Sequence, residues 1–329
     1  MSKRKEDKKR KKVKSLVLLL VLTIIMFSTA TYAWFTANQT VTVSTLDVHV
    51  EASNGLQIST NASEWKTVIT NADITAGYAG AKNMVPATLN AVSTDGTVSE
   101  SELNMYKGVV GSDAQTGEYT ITAAKSPAKA GSTGDYIAFD MFLRVDQAQT
   151  IYLTTSSNVM AKEGTEDKGL KNAARVGFVT LGNASSETAA GTLQALNTPA
   201  ATAIIWEPNA DTHTARGNAS AIEYGITVDD KTNRTGYFGL KQEIANPTKL
   251  KNAMNGTDTT NTAEVTPSVV TPENYTGTYQ QVVRLEAGVT KIRVYMWVEG
   301  QDVDCENNAS GTDISYNVQL STQSSAAGN

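Results

Sequence analysis

Residues 289–300 read Val-Thr-Lys-Ile-Arg-Val-Tyr-Met-Trp-Val-Glu-Gly, and the reading of this stretch decides the fold class. Ile292, Val294, Met296 and Val298 take every second position, and Lys291, Arg293, Tyr295 and Trp297 fill the places between. In an extended chain successive side chains point to opposite sides, so a period of two gives one apolar and one polar face. Two more stretches repeat the pattern. In Asp135–Val145 the apolar set is Ile137, Phe139, Met141, Leu143 and Val145, with Asp140 and Arg144 opposite. In Asp313–Ser321, Ile314, Tyr316, Val318 and Leu320 alternate with Ser315, Asn317, Gln319 and Ser321. Each reads as a half-buried strand, and together they predict a shared core.

Working outward, Gln149–Ser156, Arg175–Leu181, Ala201–Trp206 and Gln280–Glu286 are shorter strand candidates, and Glu118–Thr122 reads as an exposed one. Near the start, Val41 and Val43 alternate with Thr, and Leu46, Val48 and Val50 alternate with Asp47 and His49. The parity changes between Val43 and Leu46, which predicts a bulge or two strands in series. Asn54-Gly55 is a tight-turn signal between this segment and Leu56–Ile58, with Glu64–Thr70 following as a further strand. Helix is expected only at Ser99–Lys107, at Lys162–Ala174 and within Gly239–Asn255, where Pro247 interrupts it. One-sided strands without regular intervening helices predict an all-β fold, an antiparallel β-sandwich. Residues 34–329 read as one elaborated domain, with long loop insertions around Asn71–Gly134 and Asn183–Thr276 and a few short helices.

Residues 1–33 read as a secretory signal peptide. Lys3 to Lys14 is basic, Leu16 to Phe27 is apolar except for Thr23, and Ser28 to Ala33 is a run of small residues broken only by Tyr32. That order places cations at the cytoplasmic face and apolar residues in the bilayer, with small side chains for a signal peptidase to read. Thr31 and Ala33 fit the −3 and −1 positions, so cleavage is expected before Trp34. An apolar run of this length is short for a span of ~20 residues. The alternative is retention as an anchor, and membrane contact is expected only through this uncleaved segment.

Nine of the 28 basic and two of the 33 acidic residues lie in the first 33 positions, which leaves the remainder with a net charge of −12. Such an acidic surface repels nucleic acid and excludes it as a partner class. A single cysteine, Cys305, rules out an internal disulfide. Stability must therefore come from an ordinary core.

The junction Thr31-Tyr32-Ala33-Trp34-Phe35-Thr36, followed by Ser44-Thr45-Leu46-Asp47-Val48, resembles the start of the TasA and camelysin family of secreted bacterial matrix proteins. The resemblance covers Lys14 to Val50. It implies export through a dedicated signal peptidase, a jelly-roll-like sandwich, and extracellular fibres in which an N-terminal strand completes a neighbour's sheet. On that reading Trp34, Phe35, Val41 and Val43 form the inter-subunit strand. This chain is longer than the family, with large Thr- and Asn-rich loops.

Chemistry-bearing groups are sparse. His49 lies on the polar side of a strand and His213 in the polar loop Asn209–Asn218, and both are expected to face solvent. Neither has the spacing of a zinc-binding helix. Cys305 has no nearby His or Lys to activate it, which favours a structural or free thiol. Glu299, Asp302 and Asp304 form the densest carboxylate cluster, either a solvated turn or a calcium site without calcium-loop spacing. Tyr295, Trp297 and Trp206 either stack on sugars or lie under a covering loop. No catalytic constellation and no cofactor site is expected. The function expected is a secreted, non-enzymatic structural protein of the cell surface or of a biofilm matrix, self-associating into fibres. The alternative is a carbohydrate- or host-binding adhesin module.

Overall fold

The computed structural model describes residues 56–226, 236–266, 280–306 and 309–324 in full, and residues 41–50, 228–229 and 234–235 by their backbone. The basic and apolar leader, Thr31, Ala33, Trp34 and Phe35 lie outside the described residues.

Two sheets face each other. Their strands are β1 (Val41–Val50), β2 (Gln57–Ser59), β3 (Val68–Thr70), β4 (Thr88–Leu89), β5 (Ala91–Val92), β6 (Ile137–Val145) and β7 (Gln149–Leu153). They continue with β8 (Asn158–Ala161), β9 (Ala174–Ala184), β10 (Ile204–Trp206), β11 (Gln280–Leu285), β12 (Gly288–Glu299) and β13 (Ile314–Ser321). The seven-stranded sheet has the order β11-β7-β13-β1-β3, with β8 also on β13 and β4 also on β1. The six-stranded sheet has the order β10-β9-β12-β6-β2, with β5 also on β12.

The alternation read from the sequence fills the space between the sheets. Ile137, Phe139, Met141, Leu143 and Val145 of β6 share one apolar cluster with Ile292, Val294, Met296 and Val298 of β12. Ile314, Tyr316, Val318 and Leu320 of β13 complete it from the opposite sheet. The fold is thus an all-β sandwich. Most ladders are antiparallel, but β1 runs parallel to β13 and β5 parallel to β12. The β1–β13 register shifts between Val43 and Thr45, where the sequence parity changes.

The outer face of the six-stranded sheet is not solvated. Every residue of β12 is buried. The insertions fold back over it, so Met84, Val92, Leu103, Met105, Tyr136 and Ile205 pack with Val179, Tyr295 and Trp297 in a second apolar cluster. Gly177 leaves room for the Trp297 ring against β9, since a Cβ there would sit 3.1 Å from the ring. Charged residues expected at the surface are therefore enclosed.

The insertions are more β-rich than expected. Ser99–Lys107 is not a helix: Val98–Ser99 pairs with Glu102–Leu103 around Glu100 and Ser101, both at positive φ. A two-residue hairpin needs that backbone. Tyr106–Ser112 then pairs with Tyr119–Lys125, which also pairs with Ile244–Lys249. Within Gly239–Asn255 only Leu250–Met254 is helical, and within Lys162–Ala174 only the 3₁₀ turn Leu170–Ala173 forms. A helix that the sequence reading did not expect, Ala215–Glu223, starts at Thr214, whose hydroxyl accepts from Gly217 N.

Candidate functional site

The polar groups of the outer face collect at two places. The first lies across β6 and β12. Arg293 Nε donates to Asp140 Oδ1 at 2.7 Å, Lys291 Nζ lies 3.2 Å from Oδ2, and Tyr78 OH donates to Oδ2 at 2.5 Å. Burial alone would push the Asp140 carboxyl up, but Arg293 and Lys291 more than offset it and hold it below the usual carboxylate range. Burial also lowers Lys291, against the pull of Asp140. Lys291 also donates to the carbonyls of Gln194 and Leu196, so its ammonium is fully engaged.

The second place is built on the segment that follows β12, where the sequence places Glu299, Asp302 and Asp304. It is not a solvated turn: all three are buried. The backbone curls tightly here. Asp302 N donates to Glu299 O, Cys305 N to Asp302 O, and Asp304 N to Asp302 Oδ1. These bonds turn the Asp302 and Asp304 side chains towards the start of β9 and the loop before helix Ala215–Glu223. Arg175 of β9 meets them, with Nη2 2.5 Å from Asp302 Oδ2 and 2.5 Å from Glu207 Oε1. Its guanidinium lies 4.9 Å over the Tyr237 ring.

Glu299 points elsewhere. Its Oε2 accepts from Tyr237 OH at 2.6 Å and from Trp297 Nε1 at 3.1 Å, and its Oε1 accepts from Gln301 N. Complete burial pushes its carboxyl up to about 7, although those donors pull the other way. Glu299 is thus a neutral-to-anionic anchor for the aromatic face, separate from the other two carboxylates.

Asp304 is the hub. Its Oδ1 accepts from Thr214 N at 3.1 Å and Thr214 Oγ1 at 2.6 Å, and its Oδ2 accepts from Asn172 Nδ2 at 3.0 Å. His213 Nδ1 lies 2.8 Å from Oδ2. The expectation of a solvent-facing His213 is corrected here: its side chain is 1% exposed. Burial alone would lower the imidazole pKa, but the hydrogen bond with Asp304 and the charges of Asp302, Asp304 and Glu207 raise it above its ordinary value. Gly217 makes this approach possible, because a Cβ there would lie 2.2 Å from Asp304 Oδ1.

Cys305 is buried beside this hub, as a structural thiol would be. Tyr295, Trp297 and Trp206 are buried as well, so none can stack on a sugar. His49 and the predicted inter-subunit residues Val41 and Val43 lie in β1, where Val41 is in register with Leu89 and Val43 with Ile314 of the same chain. The sequence reading found Asp302 and Asp304 but missed Arg175, Asn172 and Glu207, which carry no local signal of a site. Comparison with family models, with curated proteins and with solved structures gives no match for this chain.

Proposed function

We propose that this chain is a secreted structural subunit of a bacterial surface or extracellular matrix, and that its N-terminal strand joins subunits. The observation that carries this reading is the place of β1. It comes from the start of the described chain, yet it runs inside the seven-stranded sheet, with β13 on one side and β3 and β4 on the other. Everything else in that sheet comes from residue 68 onward. Withdrawing β1 leaves β13 and β3 with open backbone edges, and a neighbour's β1 fills that gap with the same hydrogen bonds. Inserted in its own chain, the strand closes a monomer. Inserted in the next chain, it makes a head-to-tail contact that repeats without closing, and a fibre grows.

The basic and apolar leader supports export, since β1 begins only a few residues after the expected cut before Trp34. A leader held in the membrane would keep the strand from reaching a neighbour, so cleavage acts as the switch. The test compares the chain starting at Trp34 with one starting at Leu56, which lacks β1, by light scattering and electron microscopy across a wide concentration range. Filaments from the longer chain alone are the expected result. Two monomeric products would overturn the reading.

A further inference from the structure

The three-stranded sheet built by the insertions has two edges, Tyr106–Ser112 and Ile244–Lys249, on either side of Tyr119–Lys125. An edge strand offers unpaired backbone groups to another chain, and proteins commonly blunt it by keeping it short or by a Pro or a bulge. Ile244–Lys249 is blunted: it contains Pro247, and its register shifts between Ile244 and Thr248. At the edge of the seven-stranded sheet, the register of β11 on β7 shifts between Ile151 and Tyr152. The edges β2, β3 and β10 have three residues each. Tyr106–Ser112 has none of these devices. It runs for seven residues in unbroken register with Tyr119–Lys125, and its one charged residue is Lys107, near its start.

The two ends of this strand fix the direction of its backbone groups. Tyr106 exchanges hydrogen bonds with Ser93 on the side away from Tyr119–Lys125, and Asp113 N donates to Glu118 O on the other side. Along an antiparallel strand successive residues turn their N–H and C=O to alternate sides. Gly108, Val110 and Ser112 therefore direct theirs outward, and no strand among the described residues pairs with them there. Val109 is 45% exposed, and Gly111 and Ser112 are exposed as well. Val110 packs against the main core and anchors the strand.

We propose that this edge pairs with the same edge of a second copy of the chain, antiparallel about a two-fold axis through Val110. In that register Val110 faces Val110 of the second copy and Gly108 faces Ser112, so every outward N–H meets a C=O. Val109 stands opposite Gly111, which has no side chain to crowd it. Lys107 stands opposite Asp113 of the second copy, and the two-fold axis makes that pair twice. Lys107 bonds Asp135 at 2.7 Å, yet its side chain is 42% exposed and open to a second carboxylate. Opposite charges across a pair of strands stabilise it, and like charges oppose it. A parallel, in-register pairing would set Lys107 against Lys107 and Asp113 against Asp113, so charge selects the antiparallel arrangement. The contact closes on itself and makes pairs, not threads, and it is independent of strand exchange at β1.

The test uses the chain starting at Trp34, which keeps every described residue. Val109→Cys and Gly111→Cys are purified separately, then oxidised alone and as an equal mixture. A Cβ at Gly111 meets Thr120 Oγ1 at an ordinary 3.5 Å, and the native Cys305 is buried. Opposite residues of a pair without hydrogen bonds have Cα atoms ~4.5 Å apart, within reach of a disulfide. Residues 109 and 111 of two copies form such a pair, whereas 109 with 109 and 111 with 111 are diagonal and further apart. The mixture should therefore cross-link, and neither variant alone should. Ser112→Pro removes one outward N–H from each copy and none that serves the strand's own sheet. It should melt like wild type and weaken pairing, read by sedimentation across a concentration series, by at least about tenfold. If that variant does not fold, the cross-linking comparison decides. Equal linking of the mixture and the single variants, no linking in any of them, or a folded Ser112→Pro that pairs as wild type does would overturn the proposal. Filaments without the mixed cross-link would overturn it and leave strand exchange standing.

Discussion

Asp140 and Arg293 face each other across β6 and β12, with Nε 2.7 Å from Oδ1, on a sheet face closed to water. A buried pair of this kind adds little over an apolar pair of equal size, but removing one member leaves the other charge stranded. Asp140→Asn should therefore cost ~3–5 kcal/mol at neutral pH, because Arg293 and Lys291 lose their common counter-charge. The pH dependence has a definite sign. The folded-state pKa of Asp140 lies below the unfolded value of ~3.9, so its stabilisation is complete above that value and is lost as the pH falls through the depressed one. Urea unfolding of wild type and variant at pH 7, 4 and 3 should give two curves that converge towards acid. Parallel curves would mean that the carboxylate charge does not matter.

Phe139 and Val294 are neighbours in register and point into the space between the sheets. Phe139→Ala should cost ~3–5 kcal/mol through lost burial and the cavity left behind. Val294→Asp should be worse, since it buries a carboxylate within an apolar cluster. Wild-type melting midpoints for both would contradict the shared core.

Gly217 and Gly191 make a controlled pair, because both lie in short helices. Ala at 217 meets Asp304 Oδ1 at 2.2 Å, whereas nothing lies within 4 Å of a Cβ at 191. Gly191→Ala should gain up to ~1 kcal/mol from helix propensity. Gly217→Ala should lose ~1–3 kcal/mol, because overpacking outweighs that gain. Chemical denaturation of both variants checks the contrast, and equal effects would argue against close packing at Asp304.

The Cys305 thiol is fully buried. Its modification by a thiol reagent should track global unfolding, with rapid labelling in denaturant and negligible labelling under native conditions. Fast native labelling would mean that the segment after β12 opens on its own.

The three long strands were legible because one face of each is apolar at a period of two and meets a single core. Asp135–Val145, for instance, became Ile137–Val145. The other face misled for a physical reason. Lys291 and Arg293 look solvated in sequence, and their counter-charge Asp140 lies about 150 residues away. Only the folded insertions bring Tyr78 and Gln194 over them. The hub at Asp304 was half legible. The carboxylates stand close together in sequence, but His213 and Asn172 are 91 and 132 positions distant. The hairpin around Glu100 and Ser101 escaped notice because neither turn residue is the Gly or Asn that such turns favour.

The parallel pairing of β1 with β13 also has a mechanical consequence. Val43 stands beside Ile314 at one end of the ladder and Val50 beside Leu320 at the other. A pull at residue 41 against residue 321 therefore runs along both strands in opposite directions. The ladder is loaded in shear, all its bonds at once, instead of being unzipped one bond at a time.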